Sequence, residues 1–331
     1  MLAGVSKSTV SLVINDSPKV LKATVEKVNR AMAEMGYTPS PRGQRRGRKP
    51  RGLLPSQAAN IALVTLGIRS AVLRAPLYAD VLHGIAESLR ESHHRLTVYN
   101  ASDSTESIPE DLLRNGADGI LIFGRGESPR VTEALKEYPC VSFMGVDAPR
   151  KWCDWVGFDD RIVGELAADY LLKRGHKHFA YLGYGHWERG RVFAEKVKAA
   201  GGTIEMLDAN GLVVSGDDVH QVDSAKMAQC VEKLLALNPR PTALFSWADM
   251  LTAALYPVLH ARGIQIGRDL SIVTCNNEWP LLLGLSPRPA IVDVHAIDIG
   301  KHVVNQLLWR MKNRTSPLVT VMVKPSLISA P

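Results

Sequence analysis

The sequence is poor in cysteine. Its 331 residues include only Cys140, Cys153, Cys230 and Cys275, scattered and with no CxxC pair. That excludes a disulfide framework and a structural zinc signature and favours a reducing compartment, with all four thiols as packing residues. Long apolar runs are missing as well. Nothing approaches the roughly 18–20 apolar residues of a membrane helix, and the N-terminus lacks a charged-then-apolar leader. A cytoplasmic chain without a membrane partner is expected. Catalytic signatures are also absent: there is no GxSxG, HExxH, P-loop or GxGxxG pattern. FGRGES, residues 123–128, offers a lone GxG. Asp159 and Asp160 are adjacent, so in an extended segment they point apart and read as loop or cap residues. His176 and His178 in RGHKHF read as turn-surface residues. No enzyme, metal or cofactor is expected.

What is present is charge, unevenly placed. The net charge is +7, yet residues 1–58 carry +8 and residues 59–331 carry −1. A short basic head on a near-neutral body points to a polyanion-binding module joined to something else. The excess peaks at RGQRRGRKPRG, residues 42–52, where six of eleven side chains are Arg or Lys and three residues are Gly. Nothing in that stretch can anchor a core.

Beyond residue 58, short buried-strand runs alternate with amphipathic helical stretches. The strand candidates are Ile61–Leu66, Leu96–Tyr99, Ile120–Phe123, Val141–Met144, Phe179–Leu182, Ala243–Phe245, Ser271–Thr274 and Ile291–Val294. Val81, Leu82, Ile85, Ala86 and Leu89 share one helix face, as do Ile162, Val163, Leu166, Tyr170 and Leu171. The spacing recurs at Leu251, Leu255, Val258 and Leu259, and at Ile299, Val303, Leu307, Leu308 and Met311. Alternation of this kind predicts α/β architecture with parallel sheets covered on both faces. The body is too long for one comfortable sheet, so two lobes with a cleft between them are expected. Their segments are residues 59–158 with 291–318, and 159–290 with 319–331.

Residues 1–40 read as small and all-α. In GVSKSTVSLVIN, Ser6 is a good N-cap and Val10, Val13 and Ile14 form an apolar stripe. DSPKV breaks that helix. KATVEKVNRAMAEMGY then forms a second, with Val25, Val28, Met32 and Met35 inward and Gly36 at its end.

The stretch LAGVSKSTVSLVIN…KATVEKVNRAMAEMGYTPS closely resembles the helix-turn-helix head of the lactose-repressor-type (LacI/GalR) transcription regulators. The body resembles the same family more loosely, at PLYADVLHGIAESLRE, GADGILIFG, YLLKRGHKHFAYLG, PTALFSWADM and GRDLSIVTCNNE. The resemblance implies a two-lobed periplasmic-binding-protein-like body, a homodimer, double-stranded operator DNA as partner and a small effector, a sugar or related metabolite, in the cleft. It also implies that Lys7, Ser8 and Leu12 face base edges from a helix in the major groove. Ser6, Thr9, Ser11, Asn15, Lys19 and Thr24 would hold the backbone. Leu12 stands where the family often has Arg, and it fits a thymine methyl rather than guanine. The family has about ten further residues before LAGVS. The first helix is therefore expected to be largely missing from the chain as written, with the true start upstream.

A short hinge helix follows the head in this family. Here Gly43, Gly47, Pro50 and Gly52 oppose one, and Leu53 and Leu54 are the only residues suited to wedge into a groove. RGRKP, residues 46–50, resembles an AT-hook instead. Arg42, Arg45, Arg46, Arg48, Lys49 and Arg51 would then lie along a narrow A·T-rich minor groove. A solvated linker touching phosphates is the alternative.

For the effector, the family pattern maps to Arg69, Tyr78, Trp155, Arg191, Trp247, Asp249, Asn276 and Trp279. Ala248 replaces an Asn, Asn276 a frequent Asp, and Met144 an Asp of some sugar-responsive members. Trp faces stack on sugars or heterocycles while Arg and Asp fix orientation; for Arg191 a surface ion pair is the competing reading. A sequence-specific regulator, a repressor, is the function so implied. The alternatives are a solute-binding protein and a regulator that has lost effector response.

Overall fold

The computed structural model describes residues 5–14, 20–34, 58–68, 72, 74–101, 108–144, 150–215 and 220–330, and for Lys7, Ser8, Ser11, Ile14, Ala101, Leu113, Val214, Ser215 and His220 the backbone alone. The chain divides into two units, residues 1–52 and 53–331.

In the first unit, α1 spans Lys7–Ile14 and α2 spans Lys22–Glu34. Ser6 caps α1: its Oγ accepts from Thr9 N–H at 3.2 Å and meets Thr9 Oγ1 at 2.9 Å. This satisfies one of the orphan donors of the first turn. Val13, Val28 and Met32 are buried together, with Val5, Val10, Val20 and Val25 packed around them. That is the stripe predicted from the spacing; Met35 and Gly36 lie outside the described residues, as does the Ile14 side chain. Leu12, one position from buried Val13, is 41% exposed.

The body holds two six-stranded sheets. The first is ordered β13-β5-β4-β3-β1-β2 and is parallel throughout. Its strands are β1 Asn60–Leu66, β2 Arg95–Ala101, β3 Gly119–Gly124, β4 Cys140–Phe143, β5 Asp154–Phe158 and β13 Thr320–Val323. The period-2 alternation of β1 explains the layering. Ile61 and Leu63 face α3 (Pro76–Glu91) and α11 (Ala296–Lys312), whereas Ala62, Val64 and Leu66 face α4 (Glu110–Asn115) and α5 (Pro129–Lys136).

The second sheet is ordered β14-β12-β11-β10-β6-β7. It comprises β6 His178–Gly183, β7 Thr203–Asp208, β10 Ala243–Ser246, β11 Ser271–Asn276, β12 Ala290–Asp293 and β14 Ser326–Ile328, the last antiparallel to β12. Helices α6 (Asp160–Lys173) and α7 (Glu188–Ala199) cover one face, and α8 (Ser224–Ala236) and α9 (Asp249–Ala261) the other. A hairpin, β8 Val213–Ser215 with β9 His220–Val222, stands apart from both sheets, and α10 is the single turn Trp279–Leu282. All eight expected strands are present.

The lobe boundaries differ from the segments expected. The expected first-lobe segment 291–318 includes β12, but β12 pairs with β11 in the second sheet. The expected second-lobe segment 319–331 includes β13, but β13 pairs with β5 in the first. The chain crosses after β5, after β12 and between β13 and β14. The reason is α11, which packs on α3 and belongs to the first lobe. The chain enters that helix only after β12 has joined the second sheet. β13, TVMV, alternates exposed and half-buried residues at the sheet edge, so its sequence carries no strong burial signal.

Helices α3 and α11 cross backbone to backbone. A Cβ on Gly300 would collide with the Val81 carbonyl and meet Ile85 N at 2.8 Å; one on Gly84 would collide with the Ile297 carbonyl. Gly300→Ala is therefore expected to destabilise by about 1–3 kcal/mol in urea unfolding. Gly284→Ala, where a Cβ meets nothing within 4 Å, should change little.

Candidate functional site

The cleft is built where strands of both sheets end. In a parallel α/β sheet these carboxyl ends, with the helix N-termini that follow, form the natural binding edge. The first lobe contributes the start of α3, with Leu77 and Tyr78, and Phe158 at the end of β5. Tyr78 packs on Phe123 at 4.6 Å between ring centroids. Burial, with the Glu278 carboxylate beside it, pushes its phenol up to about 12.

From the second lobe comes Arg189, in the first turn of α7 and 3% exposed. Its Nε donates to Asp160 Oδ1 at 2.7 Å, and its Nη1 donates to the Trp247 carbonyl at 2.9 Å and lies 3.4 Å from Cys275 Sγ. The guanidinium stands over the rings of Phe158 at 5.4 Å and Trp247 at 5.6 Å. Gly164 makes this placement possible, because any Cβ there would strike the Arg189 carbonyl. Trp247 is packed edge-on by Tyr184 at 5.0 Å and Trp187 at 5.5 Å. Its indole Nε1 is buried without a partner among the described residues.

β11 ends on Asn276, whose φ of 109° lies in a region seldom used by residues with a side chain. Its Nδ2 donates to Glu278 Oε2 at 3.1 Å, while its Oδ1 is buried and unpartnered among the described residues. Glu278 is 4% exposed. Its Oε1 crosses to the first lobe and accepts from Leu77 N–H at 3.2 Å. Burial raises this carboxyl above its ordinary range.

Asp249 sits behind that shell, fully buried. It accepts from Thr274 Oγ1 at 2.6 Å and from Glu278 N–H at 2.6 Å. Thr252 in turn donates to Thr274 at 2.8 Å. Asp249 therefore fixes the loop that carries Glu278. Burial pushes its carboxyl up to about 7 against these hydrogen bonds. Between the ordinary carboxylate range and about pH 7 the folded chain thus keeps a proton that the unfolded chain has released. Stability should fall as pH rises through that window, and Asp249→Asn should flatten the fall. Urea midpoints of both chains at about pH 5 and about pH 8 measure it.

Of the effector residues expected from the sequence, Tyr78, Trp247 and Asn276 come together, and Asp249 supports them. Three do not join them. Arg191 is on the outer face of α7, paired with Glu195 at 2.6 Å and Glu188 at 3.2 Å; the surface ion pair is the outcome, and Arg189 holds the interior position. Trp155 lies one residue into β5, opposite Thr320 at the sheet edge, with its ring over Gly157. The cleft end of that strand is Phe158. Trp279 is 48% exposed, beneath the Arg288 guanidinium at 4.4 Å. Arg69 lies outside the described residues, as do Asn15, Lys19, Arg42, Arg45, Arg46, Arg48, Lys49 and Arg51. Asp159 caps α6 through Arg161 N–H at 2.8 Å, as its position suggested. Its neighbour Asp160 is more than a cap, being the ion-pair partner of Arg189.

Comparison with known proteins agrees with this division. Residues 1–40 match "Bacterial regulatory proteins, lacI family", and residues 168–329 match "Periplasmic binding protein-like domain". The chain is 27% identical to the HTH-type transcriptional repressor PurR of Vibrio atlanticus, over 95% of this chain and 90% of that protein. It is 25% identical to the ribose operon repressor of Escherichia coli, over 99% and 96%. Among solved structures, a CelR–cellobiose complex covers 99% of this chain and 96% of its own at a TM-score of 0.66 and 21% identity. A LacI-family regulator from Enterococcus faecium with bound ribose covers 82% and 97% at a TM-score of 0.65 and 20% identity. The chain thus combines a DNA-binding head with a two-lobed periplasmic-binding-protein-like body. It carries a lacI-type helix-turn-helix domain ahead of a periplasmic-binding-protein-like domain. Among the described residues no helix is long and apolar enough to cross a membrane.

Proposed function

We propose that this protein is a transcriptional repressor that binds a specific duplex through residues 1–40 and releases or tightens its grip when a small molecule closes the cleft. The observation that carries the reading is that one chain joins a lacI-type head to this body, in line with repressors over nearly their whole length.

In the head, Lys7, Ser8 and Leu12 read base edges, and Ser6, Thr9, Ser11, Asn15, Lys19 and Thr24 set the register on phosphates. The exposure of Leu12 beside buried Val13 supports an outward reading face. The cap made by Ser6 supports a preformed first turn. The basic residues between 42 and 51 follow the minor groove as an arm. One head offers few contacts, so two copies of the chain on a two-fold symmetric site sum their free energies.

In the cleft, Trp247, Trp187 and Tyr78 supply ring faces and edges, Arg189 and Asn276 supply polar contacts, and Asp249 positions the loop. A ligand that prefers one lobe arrangement shifts the equilibrium between two DNA affinities.

Selection of the full-length chain on a random duplex pool tests this. The expected result is an enriched, two-fold symmetric site with an A·T-rich centre. Arg46→Gln with Arg48→Gln should weaken binding most when that centre is A·T-rich. No enriched sequence, or equal loss on G·C-rich centres, would contradict the head or the arm reading respectively.

A further inference from the structure

Glu278 is the unusual group in this cleft. A carboxylate that is 4% exposed normally has a cation beside it. Here the hydrogen bonds it accepts come from neutral donors, Leu77 N–H at 3.2 Å and the Asn276 amide at 3.1 Å. Among the described residues the guanidinium acting on it is that of Arg189. Arg189 is already committed, since Asp160 takes its Nε at 2.7 Å and the Trp247 carbonyl takes its Nη1 at 2.9 Å. Asp80 adds further negative charge to the field at Glu278.

A second observation points the same way. Asn276 is 8% exposed, and its Nδ2 is used on Glu278. Its Oδ1 is left as a buried acceptor with no partner among the described residues. That oxygen belongs to the same amide, so it lies beside the carboxylate. Acceptors therefore accumulate at one point of the cleft, and among the described residues no uncommitted cationic donor meets them.

We propose that the effector of this cleft carries a positively charged amino group, held by the Glu278 carboxylate and Asn276 Oδ1. This rests on the effector reading of the same site. An ammonium donates three hydrogens and offers no acceptor, which suits two acceptors from one loop. It also neutralises a buried charge for which no committed cation stands among the described residues. A neutral sugar of the same size can donate hydroxyl hydrogens to these atoms, but it leaves the carboxylate charge uncompensated.

The test uses the full chain and has two arms. In the first, the Glu278→Gln chain is melted without ligand beside the unaltered one. Removing an uncompensated buried charge should raise Tm by about 2–4 °C. In the second, D-glucosamine and D-galactosamine are titrated against tryptophan fluorescence, in parallel with D-glucose, D-galactose and their N-acetylamino derivatives. The amines should bind about ten- to a hundredfold more tightly than their neutral counterparts, and the preference should disappear in Glu278→Gln. A lower Tm for Glu278→Gln, equal affinity for amine and neutral sugar, or no response to either amine overturns the proposal. Neutral sugars that bind and alter operator affinity would overturn it while leaving the effector reading intact. Operator binding unmoved by every probe would remove both.

Discussion

Asp154→Ala is expected to cost about 3–5 kcal/mol of folding stability, the largest loss of any single truncation in the body. Asp154 is fully buried near the start of β5. Arg310 of α11 meets it in a fork, with Nη2 to Oδ1 at 2.6 Å and Nε to Oδ2 at 2.8 Å. Gln306 Nε2 and Val319 N–H also donate to it, at 2.6 and 2.9 Å. The remaining Arg310 donors go to the carbonyls of Asn313, Ser316 and Pro317. One ion pair thus ties the end of α11, the turn after it and the entry into β13 to β5 of the first sheet. Truncating the aspartate strands a guanidinium where water cannot reach it. Replacing both partners together, Asp154→Leu with Arg310→Met, should recover much of the loss, because the penalty comes from the charge left alone. Urea unfolding of the unaltered chain and of these two variants measures it. Equal loss in the single and double variants would show that the penalty lies in packing.

Arg189→Ala should abolish effector response, whereas Arg191→Ala should leave it intact. The two residues are two positions apart in the same helix, yet their surroundings are opposite. Arg189 is buried between Asp160 and Trp247; Arg191 is half-exposed between two glutamates. Truncating one partner of a buried, hydrogen-bonded charge pair costs about 2–5 kcal/mol, or tens- to thousands-fold in affinity. An exposed pair contributes little. Arg189→Lys keeps the charge but cannot reproduce a fork that reaches both Asp160 and the Trp247 carbonyl, so its ligand affinity should fall between the two. The readout is the ligand concentration at which operator binding shifts. A loss in Arg191→Ala equal to that in Arg189→Ala would contradict the placement.

This pair also shows what was legible in the sequence. GHWERGRVF contains both arginines, and the family pattern alone pointed to the second. Helical spacing separates them. Arg189 shares a face with buried Val192 and Phe193, whereas Arg191 has Glu188 and Glu195 three and four residues away. The same periodicity located the eight strands and the Val13–Val28–Met32 head core, because burial imposes period 2 on strands and 3.6 on helices. What periodicity cannot carry is contact between distant segments. Nothing near residue 278 announces that its carboxylate reaches Leu77, about two hundred positions earlier. Nor does TVMV announce that it extends the first sheet while the next strand, three residues on, joins the second. The family pattern also points to Trp155 and Trp279. Strand register sets Trp155 opposite Thr320 of the edge strand, and Trp279 is 48% exposed.

Duplex binding by the head is the central expectation for this protein. The direct measurement is a low-salt titration of labelled duplex with the full chain and, in parallel, with residues 53–331 alone. The full chain should bind, with log affinity falling steeply against log salt as phosphate counterions are released, and should favour its selected site over random duplex. The body alone, near-neutral in charge, should not bind. Equal binding by the two chains, or indifference of the full chain to every duplex at low salt, would contradict the account.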